Sequence, residues 1–371
     1  METAIGNLIL NTQDQDLPPV KIKNRLIGDG HAPMVVAEMS GNHNGDINRA
    51  LSLLTEAKKA GAEAVKIQTY RPDTITIDHD GPEFTLKEGT WAGRRLYELY
   101  DEAHTPWEWH EEIFQLAKEL DLIVFSSPFD DTAVDFLESL DCPAYKIASP
   151  EVIDIPLIQK VASTGKPMII STGMASYSEI EEAIIAAREL NPGNVIVLHC
   201  TSSYPAMIED ANLATIESIR KNFNVLTGLS DHTTNLLTSI LSVGLGACLI
   251  EKHFTLSRLD GGVDSSFSLE VDELRELIQS VKSAWKALGR PAYSALESES
   301  IVFKNRRSLY AVSDIDKGEV FSHENVKSIR PGFGLKPKLL PKILGQKSNR
   351  SIKFGEPISE DMLSRKLSND D

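Results

Sequence analysis

From Pro33 to Leu288 short apolar or β-branched runs alternate with longer amphipathic stretches. The runs open at Met34 (MVVAE), Ala64 (AVKIQ), Leu122 (LIVFSS), Ala144 (AYKIAS), Pro167 (PMIIST), Val195 (VIVLHC), Val225 (VLTGLSD) and Cys248 (CLIEKHF). Helical spacing predicts helices over Ile47 to Lys59, Trp107 to Glu119, Ser178 to Glu189 and Val271 to Leu288. Gly61, Gly165 and Gly193 are expected to end helices at their turns. Eight such units over residues 33–288 predict an α/β fold, a closed parallel (β/α)8 TIM barrel rather than an open doubly wound sheet.

The pattern changes at both ends. Residues 1–32 are polar and mixed and read as an N-terminal arm or edge segment. Residues 289–298, rich in Gly, Pro and Ser, read as a linker. Residues 299–371 carry short runs punctuated by turns (RRSLYAVSDIDKGEVF, IRPGFGL, SIKFGEPIS) and predict a small β-rich domain. After the second strand the connection from Thr69 to Thr105 is too long for a barrel turn, which suggests a lid or substrate wall. Thr105, Pro106 and Glu108 at its end are expected to form a capping box. Tyr70, Arg71 and Asp73 remain candidate substrate contacts.

Charge and composition narrow the function. The chain has 371 residues, 41% of them hydrophobic, and a net charge of -16. Such a surface repels nucleic acid and anionic membranes, so an anionic substrate must be met by a local cluster of cations and hydroxyls. Cys142, Cys200 and Cys248 lie in apolar runs without metal-knuckle spacing and read as buried thiols of a reducing compartment. No secretory leader or bilayer-length apolar run is visible, so the expected location is the cytoplasm.

In a barrel of this kind chemistry gathers where strands end. Those ends offer Glu38, Lys66 with Gln68, Ser127, Lys146 with Ser149, Ser171, His199 through Ser202, Ser230 with His232, and Lys252 with His253. The starts of the same strands offer only apolar residues. His232 and His253 lie one repeat apart, so their imidazoles could share a metal. Two His with open positions suit Mn²⁺ or a related divalent ion, Mg²⁺ or Co²⁺ among them, and spacing alone leaves Zn²⁺ open. Ser230, Asp231 and Lys252 are expected on the same rim. Lys66 and Lys146 with Ser149, Ser171, Ser202 and Ser230 read as a phosphate or carboxylate site, although strand-end serines also cap helices. Glu38 and Glu151 are the carboxylates placed for proton transfer. These residues describe a metal-assisted barrel enzyme acting on a small anionic molecule.

The segments AEMSGNHNGD, AVKIQTY, FSSPFD, YKIAS, ISTGM, HCTSSYP, GLSDHT and EKHFT resemble, in order, the strand-end motifs of the sialic acid synthase family. The tail, with RRSLYA and RPGFGL, resembles its antifreeze-like (SAF) domain. YRPDTITID and GRRLYELYDEAHTPWEWH are most similar to the pseudaminic acid branch. The resemblance implies condensation of phosphoenolpyruvate with an open-chain amino sugar, with a divalent metal at His232 and His253. It implies phosphoenolpyruvate contacts at Lys146, Ser149, Ser171 and Ser230, with Lys66 near its carboxylate or the developing charge. It further implies sugar contacts at Glu38, Gln68 and Asp264, to which the loop reading adds Tyr70, a water-activating base at Glu151, and an Arg330 that reaches a partner's site in a domain-swapped homodimer. Ser202 stands where the sialic acid synthases commonly carry Asn, which argues against N-acetylneuraminic acid as product. A non-catalytic carbohydrate- or ice-binding protein, and a synthase using a phosphorylated sugar, are the rival readings.

Overall fold

The computed structural model describes residues 16–367. They fall into two compact units divided after Gly289. The first opens with a hairpin of β1 (Val20–Ile22) and β2 (Arg25–Ile27). A closed ring of eight parallel strands follows: β3 (Met34–Glu38), β4 (Ala64–Thr69), β5 (Ile123–Pro128), β6 (Tyr145–Ile147), β7 (Met168–Ser171), β8 (Val195–Cys200), β9 (Leu226–Asp231) and β10 (Leu249–His253), with β10 pairing back onto β3.

Strand alternation sorts these residues into two layers. Val35, Ala37, Val65, Ile67, Val124 and Ile250 face the helices, packing with Leu53, Leu54, Leu274 and Leu277. Met34, Val36, Ala64, Phe125 and Leu198 belong to the second core, where each buried aliphatic side chain contributes about 1.5–3 kcal/mol. The stretch expected to be a free arm differs in its described part. Val20, Ile22 and Ile27 are buried in this same core, so the hairpin closes the end of the barrel where the strands begin. Residues 1–15 of that expected arm lie outside the described residues.

Gly61 takes φ 99° and ends the helix Ile47–Ala60, a conformation that a side chain would resist. The expected capping box at Thr105 does not form. Pro106, extended at ψ 133°, stands at the cap itself, a 3₁₀ turn spans Trp107–Trp109, and the α-helix begins only at His110. The Thr105 hydroxyl is left buried without a partner.

The second unit has a core of Leu309, Ala311, Ile315, Phe321, Val326, Ile343, Ile352 and Ile358. Antiparallel β11 (Ser308–Ala311) and β12 (Val326–Ile329) form its one named sheet among the described residues. Elsewhere the short runs expected as strands make single bridges, such as Ile315 with Ile352 and Val320 with Lys347. Residues 368–371 lie outside the described part.

Gly228 in β9 is sterically required. A Cβ there would sit 2.2 Å from the Leu249 carbonyl oxygen and 2.6 Å from Leu198 Cδ2. Gly228→Ala is therefore expected to cost about 1–3 kcal/mol, read as a fall in the urea midpoint.

Candidate active site

Register places Glu38 beside Lys66 and beside His253 at one height on neighbouring strands, and Glu251 beside Ser230. All point into the mouth, where they line a cavity of ≈ 60 Å³ with Gln68, Lys146, Ser149, Ser171, Cys200, Tyr204 and His232. Its centre is a group of buried charges. Glu251 Oε1 lies 3.2 Å from Lys146 Nζ and 3.6 Å from Lys66 Nζ, and it accepts from the Ser230 hydroxyl at 3.3 Å. Lys66 Nζ also lies 2.9 Å from Glu38 Oε2 and donates to Ser127 Oγ at 3.2 Å.

Burial opposes ionisation of every member, and the neighbours decide the outcome. For Glu251 burial is outweighed by Lys146 and Lys66, and its carboxyl is held below the usual range. For Glu38 burial prevails over Lys66, and the carboxyl is pushed up. Burial pulls Lys146 down, while Glu251 and Glu38 together carry Lys66 up against burial. Two lysines and two carboxylates share the centre, and Ser171 beside them is left unsatisfied, so an arriving anion meets ammonium groups already held in place.

Hydroxyls complete that reception. Ser149 Oγ accepts the Gly173 N–H at 3.0 Å, and a Cβ on Gly173 would meet Ser202 Oγ at 2.1 Å, so both serines converge on one bare backbone position. Ser171 Oγ is buried without a partner. A ring of donors around a glycine, one of them unused, fits an anion's oxygens.

His232 and His253 lie with ring centroids 5.3 Å apart. The Nδ1–H of His232 donates to the Thr201 carbonyl at 2.9 Å, which leaves Nε2 as the nitrogen that can face a ligand. Nδ1 of His253 is buried and unpartnered, as is Oε2 of Glu251. Burial first, then His232, holds His253 well below the ordinary imidazole range and therefore neutral. The neighbours pull the other way at His232, where Cys200 and the Thr201 carbonyl raise the imidazole against burial. Two imidazoles this close, His253 with an unused nitrogen, fit a divalent ion completed by water and substrate oxygens, and binding it would displace any proton from His232. Among the described residues no set of three or more His, Cys, Asp or Glu side chains is arranged to hold one.

Other candidates surround this centre. Gln68 Nε2 donates to Glu38 Oε1 at 2.8 Å and to Ser40 Oγ at 3.1 Å. Asp264 is buried, with Oδ2 3.9 Å from His253 Nδ1. Tyr70 is buried among Tyr100, His104 and Phe129. Arg71 is held over the Trp107 ring at 4.2 Å. Glu151 follows β6 in a 3₁₀ turn, outside the lining of the small cavity. One of its oxygens is buried and unpartnered, and burial pushes its carboxyl up to about 7. Arg330 is exposed in the second unit. A larger cleft of ≈ 440 Å³ lies beside the β1–β2 turn, lined by Lys23, Arg25, Lys58, Glu63, Lys118 and Asp121. It has no hydroxyl or imidazole.

Two residues change role. Asp231 and Lys252, expected on the rim, point outward instead, because they alternate with Ser230 and Glu251 along their strands. Lys252 Nζ binds Asp231 Oδ2 at 2.9 Å and the carbonyls of Thr233 and Asn235 at 2.6 and 2.9 Å. Thr238 and Ser239 donate to the same carboxylate oxygen. This cross-strand rung braces the chain just after His232 and just before His253. Glu251, which sequence reasoning missed, takes the inward place. Its signal was present, since a residue two before His253 in a strand shares its face.

The chain matches the model of the NeuB family over residues 53–293 and that of the SAF domain over 306–364. It is a member of the NeuB family. This NeuB-family chain is 46% identical to the pseudaminic acid synthase of Campylobacter jejuni over 329 residues, which cover 88% of this chain and 95% of that protein. It is 43% identical to the pseudaminic acid synthase of Helicobacter pylori, covering 90% and 99% of the two chains. Among solved structures, an N-acetylneuraminic acid synthetase of Leptospira borgpetersenii in complex with citrate superposes with a TM-score of 0.70 at 30% identity, covering 77% of this chain and 95% of that one.

Lys252→Met should leave Asp231 as an unpaired buried charge and cost about 3–5 kcal/mol in denaturant unfolding. Replacing both partners by apolar residues should restore much of that loss.

Proposed function

We propose that this protein condenses phosphoenolpyruvate with 2,4-diacetamido-2,4,6-trideoxy-L-altrose and water to give pseudaminic acid and phosphate, a transferase reaction with C–O cleavage. The observation that carries the reading is the adjacency, in one mouth, of a His pair and a cradle of two lysines and several hydroxyls, that of Ser171 unsatisfied. The likeness to the two pseudaminic acid synthases selects the sugar, and legionaminic and sialic acid synthases are the alternatives.

In this reading Lys146, Ser149, Ser171, Ser202 and Ser230 bind the anionic groups of phosphoenolpyruvate, with Lys66 at its carboxylate. Gln68, Tyr70 and Asp264 orient the sugar, and Glu38 binds a sugar oxygen or passes it a proton. A divalent ion at His232 and His253, Mn²⁺ in first place, supplies Lewis acidity toward the aldehyde when bound. The C3 carbon of phosphoenolpyruvate attacks the aldehyde carbon, forming the new C–C bond. Glu151 takes a proton from the water that adds at C2, and the tetrahedral carbon then releases phosphate. The lysines and hydroxyls meet the negative charge as it moves.

From the family resemblance we also infer a homodimer with exchanged second units, in which Arg330 of one copy serves the other. Exposed Tyr293, Ile301, Val302 and Phe303 support a partner surface there. A cytoplasmic location fits the three buried free thiols, Cys142, Cys200 and Cys248, and no helix among the described residues is long and apolar enough to cross a membrane.

Phosphoenolpyruvate with a panel of amino-sugar aldehydes tests the reading through phosphate release and product NMR. Pseudaminic acid is the expected product, and activity should vanish on chelation and return with Mn²⁺. A neuraminic or legionaminic product would shift the assignment within the family, and no condensation with any sugar would end it. Glu151 as base gives a second test. Its carboxyl is pushed up to about 7, so the ionised form is populated only above that pH. Turnover should therefore rise with pH through about 7, and Glu151→Gln should remove that limb and lower the rate about 10²–10⁴-fold.

A further inference from the structure

The long connection after β4 carries a small hairpin. Thr85 bridges to Arg95, Leu86 N–H donates to the Arg94 carbonyl at 2.9 Å, and Gly93 N–H to the Leu86 carbonyl at 2.7 Å. Arg95 pins its base to Asp78 and Asp80. Its tip does not rest on the neighbouring strands. The Thr90 hydroxyl donates to the carbonyl of Tyr204, in the loop after β8, and Trp91 Nε1 donates to the Val263 carbonyl at 2.9 Å, in the loop after β10. In an eight-strand ring β8 stands opposite β4, so the hairpin spans the mouth.

Beneath it runs a continuous line of rings. The Trp91 centroid is 5.4 Å from Tyr204 and 6.3 Å from Phe267. Tyr204 lies 4.3 Å from His232, and Phe267 lies 5.0 Å from His253. The polar cavity below holds ≈ 60 Å³, whereas pockets for small molecules usually measure about 300–1,000 Å³. An anion the size of phosphate fits there; a second, larger substrate has to displace something. The tip is the least expensive thing to move, since two hydrogen bonds and ring edges, each worth about 1 kcal/mol, hold it.

We propose that residues 85–95 form a strap that lifts to admit the amino sugar and reseats on it, and that Trp91 determines specificity by packing on the sugar's methyl groups. This rests on the proposed condensation. The sugar of that reaction bears two acetamido methyls and a methyl at C6, a more apolar outline than a sugar with a C6 hydroxyl, and an indole face rewards that difference.

The experiment is steady-state kinetics of Trp91→Ala and Trp91→Phe with both substrates, and with an analogue hydroxylated at C6. Trp91→Ala should raise the sugar KM tenfold or more, leave the phosphoenolpyruvate KM within twofold, and shrink the preference for the 6-deoxy sugar. Trp91→Phe should recover most of both effects, and the melting temperature of each variant should stay near the parent's. A sugar KM indifferent to Trp91, a parallel rise in both KM values, or an unchanged preference overturns the proposal. If the parent protein condenses no amino sugar, the functional reading fails and the strap fails with it; if it does and Trp91 is neutral, only the strap fails.

Discussion

The structure depends on a negative group that anchors positive ones: Glu251, buried at the barrel axis between Lys66 and Lys146. Neither ammonium could remain charged in so dry a place alone, because removing an ion from water costs several kcal/mol even after the protein relaxes. Glu251 is shared by the two lysines, and Glu38 supports Lys66 from the other side. The barrel makes the arrangement possible by bringing strands β4, β6 and β10 to a common axis. A protein of net charge -16 thereby keeps a small interior region that attracts anions.

The imidazoles are set by a different device. Directly behind them the Asp231–Lys252 rung ties β9 to β10 and fastens the backbone carbonyls of residues 233 and 235. The ring positions therefore follow from an ion pair outside the mouth, with Thr238 and Ser239 satisfying the same carboxylate.

Much of the barrel was legible because each buried run is short, β-branched and followed by a helical period, and eight repeats leave few topologies. The site was legible as far as strand ends were. Glu38, Lys66, Lys146 and the serines could be placed from position alone. The rim reading fails where a choice of face matters: it groups Asp231 and Lys252 with Ser230 and the histidines, whereas alternation along the strand gives the inward side to Glu251. The Thr105 capping pattern had the right residues but an extended Pro106, and local backbone geometry overrode the motif. Trp91 lies within the connection expected as a lid or wall, but nothing singles it out there, since its neighbours are contributed by loops more than a hundred residues further along the chain.

The β1–β2 hairpin has an effect beyond packing. Val20, Ile22 and Ile27 stopper the far end of the barrel, so the chamber is a cul-de-sac. In a blind passage the order of arrival is also an order of depth: under the proposed condensation, phosphoenolpyruvate settles before the bulkier sugar.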